Sequence, residues 1–76
     1  MKLTTTQQAV IAELIRQGYQ AGDVVREFDV FPARTNQGAA QRRALTQIGR
    51  RFNLRHEPAW STSFVLTQAV FDAGKD

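Results

Sequence analysis

The chain predicts a mostly α-helical fold with a small β-hairpin near its C-terminus. Three observations predict it. Val10, Ile11, Leu14 and Ile15 repeat at helical spacing, and so do Leu45, Ile48 and Phe52. Between them lies a shorter apolar segment broken by Pro32, and after them comes the β-rich run Phe64-Val65-Leu66-Thr67. At 76 residues the chain is read as one domain, 1–76, near the lower size limit for independent folding.

The first helix is expected over roughly residues 5–17. Thr4 with Gln7, or Thr5 with Gln8, fits a capping box, in which hydroxyl and amide satisfy free N–H groups reciprocally. Gly18 is placed to stop it. A second, shorter helix is expected over residues 19–28, with Val24, Val25 and Phe28 facing the core and a weak cap from Gln20 and Asp23. Asp29 to Pro32 breaks it, since the residue before a proline is biased away from helix. Val30 and Phe31 then plug the core. Thr35 or Asn36 caps the next helix, which runs to about Phe52. Gly38 near its start permits close backbone approach to a phosphate. Gly49 costs about 1 kcal/mol relative to alanine. Asn53 can end the helix in a left-handed conformation.

Residues 54–57 read as a short strand stopped by Pro58. Residues 60–63 are turn-like, and the run at 64–67 returns to complete the hairpin, leading into a short terminal helix. The rival reading has Ser61 or Ser63 capping a fourth helix. Residues 73–76 are expected to fray. Gln41 either bonds the preceding turn or sits at the helix edge. His56, alone in sequence, reads as a surface or strand residue. Trp60 covers the core or anchors a partner. Phe64 and Phe71 read as core or dimer contacts.

Charge is distributed unevenly. Residues 34–55 hold six arginines and no acid, a formal +6, while the rest holds four basic and seven acidic residues, −3, for a net +3. Such polarisation is the usual footprint of a polyanion-binding surface. On a helical wheel the face opposite Leu45, Ile48 and Phe52 carries Asn36, Ala39, Arg43, Thr46, Gln47 and Arg50, flanked by Arg42 and Arg51. Asn and Gln can pair with adenine and Arg with guanine. The bland reading is a solvated arginine-rich face, but the Glu-to-Arg pairs that usually lace one are missing.

Several classes are excluded or disfavoured. There is no cysteine and one histidine, so thiolate and His-cluster metal sites are out. No apolar run reaches the ~18 residues of a membrane span, and the start MKLTTTQQ lacks a signal-peptide apolar region, so the cytoplasm is expected. The carboxylates are scattered, and no phosphate-loop or dinucleotide fingerprint occurs. No catalytic residue, cofactor or metal is expected.

The segments QQAVIAELIRQG at 7–18, QAGDVVREFDV at 20–30 and RRALTQIGRRFNL at 42–54, followed by FVLT at 64–67, resemble in order a winged helix-turn-helix domain of a small bacterial or phage-type regulator. The resemblance spans about 60 residues as a pattern. The linker at 29–35 is longer than the tight turn of the simplest helix-turn-helix, and Arg55 is the main basic residue of the wing. The resemblance implies a three-helix core plus a C-terminal wing, with the third helix in the major groove. It places Asn36, Gln37, Ala39 and Arg43 nearest the bases. Arg34, Arg42, Arg50, Arg51 and Arg55 would then be mostly phosphate contacts.

The expected function is sequence-specific binding of double-stranded DNA, as a transcriptional regulator or a phage or mobile-element accessory factor. A homodimer is expected to assist, through helix 1 or residues 64–71. The alternative is a small phage-type inhibitor or adaptor whose arginine face engages an acidic host protein. Single-stranded RNA ranks third, because basic residues interleaved with surface aromatics are lacking.

Overall fold

A computed structural model describes residues 2–58 and 61–75. In chain order the described elements are α1 (Thr5–Arg16), β1 (Val24–Val25), α2 (Glu27–Val30), α3 (Asn36–Arg51), β2 (Phe64–Val65) and α4 (Gln68–Gly74). The protein is mostly helical with a two-stranded antiparallel sheet. Among the described residues no helix is long and apolar enough to cross a membrane.

α1 begins as its sequence predicts. The Thr4 hydroxyl accepts from the Gln7 N–H at 3.1 Å, and the Gln7 side chain accepts from the Thr4 N–H at 3.1 Å. It ends at Gly18, φ 90°, where Gly18 N–H donates to Ile15 and Tyr19 N–H to Leu14. That pair of bonds satisfies the last carbonyls and needs a left-handed residue, which glycine adopts without penalty. Val10, Ile11 and Leu14 are buried; Ile15, at the stripe's edge, is exposed. The Arg16 guanidinium, and after it the Gln17 amide, hold the Glu13 carboxylate down from 4.5 to about 2. Gln17 also donates to the Val30 carbonyl at 3.2 Å, joining the ends of α1 and α2.

The expected helix over 19–28 does not form. Gly22 is left-handed, φ 96°, and the Asp23 carboxylate accepts from the Gln20 N–H at 2.8 Å, closing a turn instead. The β-branched pair Val24-Val25 then runs as a strand. It lies antiparallel to β2, with Val24 opposite Val65 and Val25 opposite Phe64. Helix resumes only for Glu27–Val30. Of the three residues expected to face the core, Val25 does so, while Val24 and Phe28 are exposed. Tertiary pairing has overridden a weak local helical preference. Val30 and Phe31 are buried, as the sequence suggests.

α3 is capped by the Thr35 hydroxyl, which accepts from the Gly38 N–H at 3.0 Å. It ends at Asn53, φ 52°, with Asn53 N–H donating to Arg50 and Leu54 N–H to Gly49. Leu45 and Ile48 are fully buried, and Ala44, Gly38 and Gly49 are buried beside them. The buried stripe explains both glycines. Gly38 does not lie open to a ligand, because a Cβ there would overlap the Ala33 carbonyl oxygen. Gly49 admits the Phe64 ring, whose Cε1 lies 3.1 Å from the Cβ position.

The C-terminal part follows the hairpin reading with its short terminal helix, not the rival in which Ser61 or Ser63 caps the helix: α4 starts after Thr67. Residues 55–57 and 63–65 return on each other through a single bridge, His56 to Phe64, supported by Val65 N–H to Arg55 at 2.9 Å and Glu57 N–H to Ser63 at 3.1 Å. The strand β2 uses its other edge to pair with β1. Leu66 is buried, and α4 follows. Phe64 and Phe71 lie in the core, so neither offers the dimer surface expected of residues 64–71. Ala73 and Gly74, expected to fray, belong to α4, where a Cβ at Gly74 would meet the Ile11 side chain. Trp60 and Asp76 lie outside the described residues.

One substitution checks this packing. Gly38→Ala gains helix propensity of about 1 kcal/mol but forces a backbone overlap costing about 1–3 kcal/mol, so a net loss is expected. A urea midpoint below that of the parent is the expected reading; an unchanged or higher midpoint would show that the loop at Ala33 gives way freely.

Candidate nucleic-acid interface

Burial of Leu45 and Ile48 decides which side of α3 meets solvent. Asn36, Gln37, Arg43, Gln47 and Arg50 are exposed, and Ala39, Thr46 and Gln41 are half-buried. Asn36, Arg43 and Arg50 are spaced by seven residues, about two turns or roughly 10 Å of rise, and stack as one ridge.

The arginines divide into two groups. Arg42 is turned inward. One of its terminal nitrogens donates to the Phe31 carbonyl at 2.7 Å and the Ala33 carbonyl at 2.8 Å. Its guanidinium carbon sits 4.3 Å from the centre of the Phe28 ring. The planar fork thus ties the connection between α2 and α3 to the body of α3, and the ring shields it. Arg51 turns toward the start of the chain. It donates to the Lys2 carbonyl at 2.7 Å and to the Gln7 side-chain oxygen at 3.2 Å. Gln7, buried, donates in turn to Gln47 at 3.1 Å, so the residue that caps α1 also docks it onto α3.

Among the described residues, Arg34, Arg43 and Arg50 are exposed and no hydrogen-bond or ion-pair partner occupies them. Arg55 is exposed and pairs with Glu57 at 3.4 Å. An exposed pair of this kind is worth little and exchanges readily for a better anion. Of the residues the sequence places on the interface, Arg34, Asn36, Gln37, Arg43 and Arg50 therefore present unoccupied polar groups. Ala39 provides a small step in the ridge. Arg42, Gln47, Arg51 and Thr46 carry internal bonds as well.

Thr46 donates its hydroxyl to the Glu27 carboxylate at 2.9 Å. Both line a cleft of about 560 Å³ that α3 forms with residues 53–56 and 62–64, together with Arg50, His56 and Thr62. His56 meets the Phe64 ring edge-on, centroids 6.4 Å apart. No cluster of three metal-ligating side chains occurs among the described residues. Three features here are not legible in sequence: Glu27 beside the ridge, Phe28 beneath Arg42, and the double use of Gln7. Only the capping box at Thr4 and Gln7 gave a local signal, and it gave none for the contact to Gln47.

No protein-family profile, curated protein or solved structure matches this chain.

The inward role of Arg42 has a measurable consequence. Arg42→Lys keeps the charge but loses the fork and the stacked plane, so stability should fall by about 1–2 kcal/mol. Arg43→Lys, on the open ridge, should leave the thermal midpoint within error. Equal effects of the two changes in thermal denaturation would refute the division.

Proposed function

We propose that this protein binds double-stranded DNA through the outer ridge of α3, as a winged helix-turn-helix regulator or a phage or mobile-element accessory factor. The observation that carries the proposal is the ridge itself. Asn36, Arg43 and Arg50 project from a rigid helix whose segment has no acidic residue, and their polar groups are unoccupied. A solvated structural helix would spend such guanidinium groups on neighbouring carboxylates.

The element order supports the winged-helix reading. β1 lies between α1 and α2, and β2 runs between β1 on one edge and residues 55–57 on the other. In that frame the N-terminal half of α3 approaches the bases, so Asn36, Gln37 and Arg43 read base edges. Arg34, Arg50 and Arg55 contact phosphates and supply affinity independent of sequence.

Titration with random duplex DNA at two salt concentrations tests the proposal. Three arginines on phosphates predict a log–log slope of about −3. Arg43→Ala should lose affinity and alter sequence preference, whereas Arg50→Ala should weaken binding to all sequences and reduce that slope by about one. Arg51→Ala should lower stability and keep the slope. Absence of duplex binding at low salt would overturn the proposal and leave an acidic protein surface as the partner for this ridge.

A further inference from the structure

Among the described residues one acidic side chain lines the cleft beside the ridge, and its role rests on the DNA-binding reading. Glu27 is the first residue of α2, and its half-buried carboxylate is held by the Thr46 hydroxyl at 2.9 Å. Thr46 lies one turn before Arg50 on α3, and both line the same cleft as Glu27. Among the described residues Glu27 and Arg50 form no ion pair within hydrogen-bonding reach. The carboxylate therefore stands beside the phosphate-contacting arginine without consuming it. A negative charge on a polyanion-binding face repels every phosphate that approaches, and within a Debye length of about 8–10 Å salt screens that repulsion only partly.

We propose that Glu27 tunes down the sequence-independent affinity of the ridge for DNA by opposing the phosphate contact of Arg50. The basic ridge attracts all duplexes alike. A fixed carboxylate at its edge subtracts from that shared attraction whatever the sequence. The Thr46 bond holds the charge at the ridge, because a free glutamate would swing toward bulk water.

The test is binding of random duplex DNA, by fluorescence anisotropy at two salt concentrations, to the parent chain, Glu27→Gln and Asp72→Asn. Glutamine keeps an oxygen to accept the Thr46 hydroxyl, so the fold is retained while the charge goes. Asp72→Asn makes the same change of net charge on α4, which packs on α1 rather than on the ridge. Glu27→Gln should bind several-fold more tightly at low salt, with a slope steeper by up to about one. Asp72→Asn should bind as the parent does. Unchanged or weaker binding by Glu27→Gln overturns the inference and leaves the DNA reading standing, as does an equal gain from Asp72→Asn, which would show an effect of net charge alone. If none of the three chains binds duplex DNA, both fall together.

Discussion

The burial of one narrow stripe on α3 is the constraint on which the rest of the molecule depends. Leu45 and Ile48 are the fully buried side chains of a helix that is otherwise polar or small. In a chain of this size the core has few residues to spare, so those two must meet α1 and the sheet closely. Gly38 and Gly49 on the flanks of the stripe let the Ala33 carbonyl and the Phe64 ring approach where a side chain would hold them off. The helix thereby accepts two poor helix formers in exchange for its seating. Once the stripe is seated, the opposite ridge has no freedom left: Asn36, Arg43 and Arg50 face solvent.

Around that seat, polar side chains fasten the helix to its neighbours. Arg42 gathers the carbonyls of the α2–α3 connection, Thr46 reaches Glu27 of α2, and Gln7 with Arg51 and Gln47 fastens α1. The bonds are partly buried or, from Arg42 to Ala33, exposed, so each contributes about 0.5–1.5 kcal/mol at most rather than the larger value of a fully desolvated pair. Their collective effect is geometric. They hold α3 from both flanks. Neighbouring arginines in sequence thus part ways: Arg42 and Arg51 bond within the protein, while Arg43 and Arg50 are exposed.

The C-terminal part shows how little regular structure such a frame needs. Two residues of β1, two of β2 and a single bridge at His56 suffice, because Phe64 and Leu66 are buried whichever edge is paired. The strand gives register; the apolar side chains supply the driving force. α4 then closes the far side of α1 with Val70 and Phe71, apolar surface that a partner would otherwise have to cover.

By itself the sequence determined the features that depend on neighbours in the chain. These are a capping box at Thr4 and Gln7 or one residue later, the glycine stop at Gly18, a cap at Thr35 or Asn36, the left-handed Asn53, the extent of α3 and the face it buries; the structure selects Thr4 with Gln7, and Thr35. Each follows from periodicity or from a side chain bonding backbone within a turn of itself. The tertiary structure alone decided three others. It made residues 19–28 a turn, a strand and one helical turn, because Val24-Val25 finds its partner some forty residues away at Phe64-Val65. It turned Arg42 and Arg51 inward and left Arg43 and Arg50 outward. It set Glu27 beside Thr46. The helical wheel ranks residues by angle only. Which guanidinium finds a carbonyl, and which stays open for a ligand, depends on what the rest of the chain brings alongside the helix.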